Sequence, residues 1–92
     1  MQGANTYDEI MLVVLDELAD MGYDRPKPDS DIKDWFKRCE KDDTETKAPL
    51  HRVDRFLIDL RHRVELDYTL GKAELINGTY ETPVELVKKL ML

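Results

Sequence analysis

Few side chains in this chain could do chemistry, and their spacing narrows what that chemistry could be. There is one cysteine, Cys39, and there are two histidines, His51 and His62. A Cys–His pair makes a nucleophile when the base reaches the thiol and a third group orients the base. Cys39 and His51 could supply the pair, but nothing in the pattern orients a third member. Cys39 follows Trp35 and Phe36 in a short amphipathic stretch, which reads as a core position. His51, at a helix start, reads as a surface residue. The histidines stand eleven positions apart, about 16 Å along a helix, too far to share a zinc ion. A single cysteine also forbids an internal disulfide. Asp16 and Glu17 are adjacent, diverge on a helix and form no acid–base dyad. "INGT" fits the glycosylation pattern at Asn77 and reads as a turn in a chain expected to be cytoplasmic. The only serine, Ser30, reads as the cap of a short helix. No catalytic residue and no metal site is expected.

The elements around these residues are helical. "YDEIMLVVLDELADM", residues 7–21, repeats apolar residues at Ile10, Met11, Val14, Leu18 and Met21. Leu12, Val13 and Leu15 widen that stripe, so burial on more than one side is expected. Thr6 is the expected N-cap and Gly22 the C-cap. Pro26 and Pro28 interrupt the connection that follows. Ser30 then caps "DIKDWFKRC", whose Ile32, Trp35 and Phe36 fall at i, i+3 and i+4. "EKDDTETK" reads as an exposed loop. A second main helix is expected from Pro49 to about Glu65, with Val53, Phe56, Leu57, Leu60 and Val64 in one stripe. Ile58 points well away from that stripe, towards Arg55 and His62. "KAELI" makes about one turn, and Thr82 caps a last helix, "PVELVKKLML". "VELDYTL" could be a short strand but has no mate.

At 92 residues the chain is one domain, 1–92, with a thin core. It is 41% hydrophobic and 37% charged, the balance of a folded soluble chain. Its longest apolar run, Ile10 to Leu15, is far short of the ~20 residues a membrane helix needs. No basic signal region opens the sequence, which leads to the expectation of a cytoplasmic protein. The net charge of −6 sits almost wholly in residues 1–22, which hold Asp8, Glu9, Asp16, Glu17 and Asp20 and no Lys or Arg. An acidic chain disfavours nucleic-acid binding, because phosphate contacts need a basic surface. Those acids form either a solvated helix face or a docking face for a basic partner.

The order of these elements resembles the acyl carrier protein family. The resemblance rests on "PDSDIKDWF" for the loop segment, "VDRFLIDLRHRVELDY" for the second helix and its exit, and "TPVELVKKL" for the last helix. It implies an all-α, small four-helix bundle with a long first loop. It also implies an arm, 4'-phosphopantetheine, on a serine of a "DSL" motif opening the second helix. At the matching place the sequence reads Ala48-Pro49-Leu50, which has no nucleophile. "DSDI" imitates the motif at Ser30, well ahead of that helix. The family's second helix is acidic, whereas here it carries Arg52, Arg55, Arg61 and Arg63, which changes the partners it would select.

Three functional expectations follow. The first is a non-catalytic protein-interaction module without an arm, meeting a protein partner through Arg52, Arg55 and Ile58. The second is a divergent carrier modified at Ser30. The third is an acidic mimic of nucleic acid that blocks a basic partner. Ile58 could instead be covered by one of the shorter helices.

Overall fold

The computed structural model describes residues 3–92. Five helices follow one another: α1 (Tyr7–Ala19), α2 (Trp35–Glu45), α3 (Arg52–Arg63), α4 (Lys72–Ile76) and α5 (Pro83–Leu90). No strand forms among the described residues. The stretch "VELDYTL" contributes one isolated parallel bridge, between Ala4 and Val64.

α1 begins where its cap dictates. The Thr6 hydroxyl accepts from the Glu9 N–H, and the Glu9 carboxylate accepts from the Thr6 N–H at 3.2 Å. This reciprocal box satisfies two donors that a helix start leaves unpaired. The helix ends at Ala19 with Asp20 at the C-cap and not Gly22, which lies in the turn beyond at φ +94°, a left-handed value that favours glycine. α1 buries Ile10, Met11, Val13, Val14, Leu15 and Leu18, because it lies between α5 on one flank and α3 on the other.

α2 corrects the sequence-based reading. "EKDDTETK" is not a loop through most of its length, for the helix runs to Glu45. Trp35, Cys39 and Asp43 recur every four residues, and all three are buried. The inward face therefore ends on a carboxylate, which a search for apolar residues passes over. The short helix expected here is thus a full one of 11 residues, and the five helices are not the four-helix bundle that the resemblance implied. Ser30 does not cap it. The Ser30 hydroxyl accepts from the Lys27 N–H at 2.8 Å in a turn, and Asp34 precedes the helix.

α3 also starts later than Pro49. His51 is extended at φ −80°, ψ 135°, and the first helical residue is Arg52. The Arg52 N–H donates to the Asp43 carboxylate at 2.7 Å, so a side chain of α2 caps α3. Pro49 lies in the bend ahead of it. Val53, Phe56 and Leu60 form the inner stripe, and Phe36 meets Phe56 edge-to-face at 5.1 Å.

α4 and α5 form as expected. Thr82 caps α5 through the Glu85 N–H, with Pro83 in the first turn. The long connection after α1 is tied to α5 by two backbone bonds: Val84 N–H to the Pro28 carbonyl at 3.0 Å and Ile32 N–H to the Glu81 carbonyl at 2.8 Å. α3 packs against α1, α2 and α4.

Candidate functional site

The start of α3 is closed by contacts from α2 and from the end of α1. Arg52 turns back along the helix end. Its Nε and Nη2 donate to Asp43 at 3.0 and 2.9 Å, and its Nη1 donates to the Met21 carbonyl at 2.6 Å. One guanidinium therefore joins the end of α1, α2 and the start of α3. It holds the Asp43 carboxyl below the usual carboxylate range. Of the three residues expected to face a partner, Arg52 is thus committed to the fold's own contacts.

His51 is held beside it. His51 Nδ1 lies 3.0 Å from Glu40, Glu40 also accepts from Lys72 Nζ at 3.0 Å, and Lys72 reaches Asp54 at 3.1 Å. This chain of charges links α2, the start of α3 and α4. Cys39 is fully buried, and burial pushes its thiol up. A thiol in that setting stays protonated, the opposite of an activated nucleophile. Among the described residues no group of His, Cys, Asp and Glu is arranged to hold a metal ion. Among the described residues no helix is long and apolar enough to cross a membrane.

Ser30 lies between the two backbone bonds that fasten its loop to the start of α5. It is placed with α5 and not with α3.

The acids of the N-terminal region are partly spoken for. Glu9 belongs to the α1 cap. Arg63 donates to Glu17 at 2.7 Å and to Asp16 at 3.3 Å, and Arg25 also pairs with Asp16. Glu17 is buried by this contact. Asp8 and Asp20 make no ion pair among the described residues.

Ile58 faces outward, 53% exposed. No short helix covers it. It stands at the edge of an open groove of about 290 Å³ lined by Leu57, Ile58, Arg61, His62, Tyr68 and Leu70. The Arg61 guanidinium lies 3.9 Å over the Tyr68 ring and donates to the Tyr68 carbonyl at 3.1 Å. Stacking and this hydrogen bond hold the cation in place without neutralising it. Burial pushes the Tyr68 phenol up. Arg55, on the other side of Ile58, pairs with Asp59 at 3.5 Å along the helix.

Across the boundary with α1 lies a second open groove, about 450 Å³, whose walls include Leu12, Asp16, His62 and Arg63. Leu12 is 58% exposed. His62 lines both grooves and joins them into one surface. The sequence pattern had placed Leu12 in a widened core stripe, and α1 leaves it outside because α5 and α3 take the flanks next to it. The signal for this surface was available: Leu12 is an aliphatic residue between Asp8 and Asp16, one turn away on each side.

No family model, curated protein or solved structure matches this chain.

Proposed function

We propose that this chain is an acyl-carrier-like helical domain that acts as a non-catalytic protein-interaction module and carries no prosthetic arm. The observation that supports it is the outer face of α3, where Ile58 stands exposed beside a guanidinium fixed on Tyr68. An aliphatic group in water with ordered charge around it gains by being covered. Burying the exposed half of Ile58 contributes about 1 kcal/mol, and the surrounding polar rim selects the partner.

The arm-free part rests on the start of α3. Asp43 and Arg52 close that helix end, and Ala48-Pro49-Leu50 offers no hydroxyl. The carrier-like part rests on the order of capped helices in the sequence.

The test has two arms. A photo-crosslinking residue at position 58 and one at Lys41, exposed on α2, are compared in extracts of the source cell. Proteins captured at 58 alone are purified and titrated against the wild-type chain and Ile58→Asp. Affinity falling about tenfold or more, with unchanged melting, supports the reading. Equal affinity for both chains refutes it. Incubation with a phosphopantetheinyl transferase and coenzyme A is the second arm, and a mass gain mapping to Ser30 refutes the arm-free part.

A further inference from the structure

We infer that the outer face shared by α1 and α3 is a self-association surface, and that its partner is a second copy of this chain. The inference rests on the interaction reading above and names the occupant.

The two helices run antiparallel. Ala4, just before α1, pairs with Val64, just after α3, and the Met21 carbonyl beyond the end of α1 meets Arg52 at the start of α3. Other helices cover their remaining sides: α5 lies on α1, and α2 and α4 lie on α3. Leu12 and Ile58, 58% and 53% exposed, stand near the middle of their helices with His62 between their grooves. Antiparallel packing sets these two aliphatic residues at nearly the same height along the pair.

Once the ion pairs within the chain are set aside, each half of the face keeps one charge, and the two are of opposite sign. Near Leu12 lie Asp8, Glu9, whose carboxylate closes the α1 cap, and Asp16, which pairs with Arg25 and Arg63. Beside Ile58 lies Arg61, while Arg55 and Asp59 pair with each other and Asp54 pairs with Lys72. Asp8 has no cation and Arg61 no carboxylate within pairing distance among the described residues. A face of this kind complements itself. A two-fold axis lying in the face and running along the helices places α1 of each copy over α3 of the other. Leu12 then covers Ile58 of the second copy, and Asp8 comes to the side that carries Arg61. The contact occurs twice by symmetry, as in any isologous dimer.

The size of the face sets the strength. α1 has 13 residues, about 20 Å of length, and neighbouring helices lie about 8–10 Å apart. A face of roughly 20 by 20 Å is about half the ~800 Å² per partner of a standard interface. The dimer is therefore weak and concentration-dependent, and its charged part is screened by salt.

Sedimentation velocity of the purified chain from about 10 µM to 1 mM, in low salt and in 0.5 M salt, reads this directly. A reversible dimer that weakens in salt is expected. Ile58→Asp and Leu12→Lys should each weaken it at least tenfold. The double variant Leu12→Lys with Ile58→Asp sets Lys against Asp across both halves, and should recover to within about threefold of wild type. Circular dichroism melts check that each variant folds. A wild-type chain that stays monomeric at 1 mM overturns the inference without reference to any variant. So does a dimer that survives both single substitutions, or one that the double variant fails to restore while folding normally. A monomeric wild type whose captured partner still depends on Ile58 defeats self-association and leaves the interaction reading standing.

Discussion

Replacing Asp43 with alanine tests the structural assignment of the α3 start. Asp43 is 5% exposed and accepts both the Arg52 backbone N–H and the Arg52 guanidinium. Losing the cap costs about 1 kcal/mol. Losing the carboxylate leaves a guanidinium anchored on the Met21 carbonyl without its counter-charge. Hydrogen bonds to charged groups are worth about 1.5–3 kcal/mol, and water reaches part of Arg52, so a total near 3 kcal/mol is expected. A chain of this size has about 5–14 kcal/mol to lose, and each kcal/mol moves Tm by about 4–8 °C. Asp43→Ala should therefore melt about 12–24 °C below wild type at pH 7 by circular dichroism. Asp43→Asn, which keeps one acceptor for the cap, should lose about half as much. The pH dependence carries the sign. Arg52 lowers the folded pKa of Asp43, so the pair's contribution is complete above the unfolded value of about 3.9 and is lost as pH falls through the folded value. The two melting curves should draw together as pH falls below the unfolded value of about 3.9. A variant melting within about 4 °C of wild type at pH 7 refutes the cap, and a gap that stays constant into acid refutes the charge.

Two further outcomes follow from burial and backbone geometry. Cys39 should react with a disulfide reagent at pH 8 at least about a hundredfold more slowly in the native chain than in strong urea, because it is fully buried and its thiol is pushed up. Rapid native labelling would show that α2 opens. Gly78→Ala should cost more than about 1 kcal/mol in a urea melt, since φ is +74° and an added Cβ meets the Lys33 carbonyl at 2.7 Å. Gly71→Ala, where φ is −99° and the nearest atom is a Glu74 side-chain oxygen at 3.2 Å, should cost clearly less. Equal costs at the two positions would contradict the close approach.

Local chemistry made much of this fold legible. Thr6 with Glu9 and Thr82 with Pro83 mark helix starts by short-range hydrogen bonds and backbone preference, and α1 and α5 begin where they indicate. The outward direction of Ile58 followed from helical periodicity alone. What escaped lay in long-range pairing of charges. Asp43 and Arg52 are nine residues apart, and the contact between them turns a polar stretch into a buried helix face and moves the start of α3. Glu17 and Arg63 are 46 apart, and their pair buries an acid that charge counting assigned to a solvated face. A pattern that sorts residues into apolar-inside and polar-outside cannot find either pair, because each side chain is individually polar and only the pair can be buried.

The same division explains why one face stays bare. α1 is nearly surrounded, with six aliphatic residues inward, and Leu12 is the one left out. α3 presents a narrow inward stripe of Val53, Phe56 and Leu60, so most of its circumference needs no cover. α4 has only five residues, and its Lys72 pairs with Asp54 and Glu40. Arg61 is held instead by the Tyr68 ring and carbonyl, which order the guanidinium without taking up its charge. A side chain kept ordered and charged beside an uncovered aliphatic has already lost the conformational freedom that binding would otherwise cost, and so favours association over isolation.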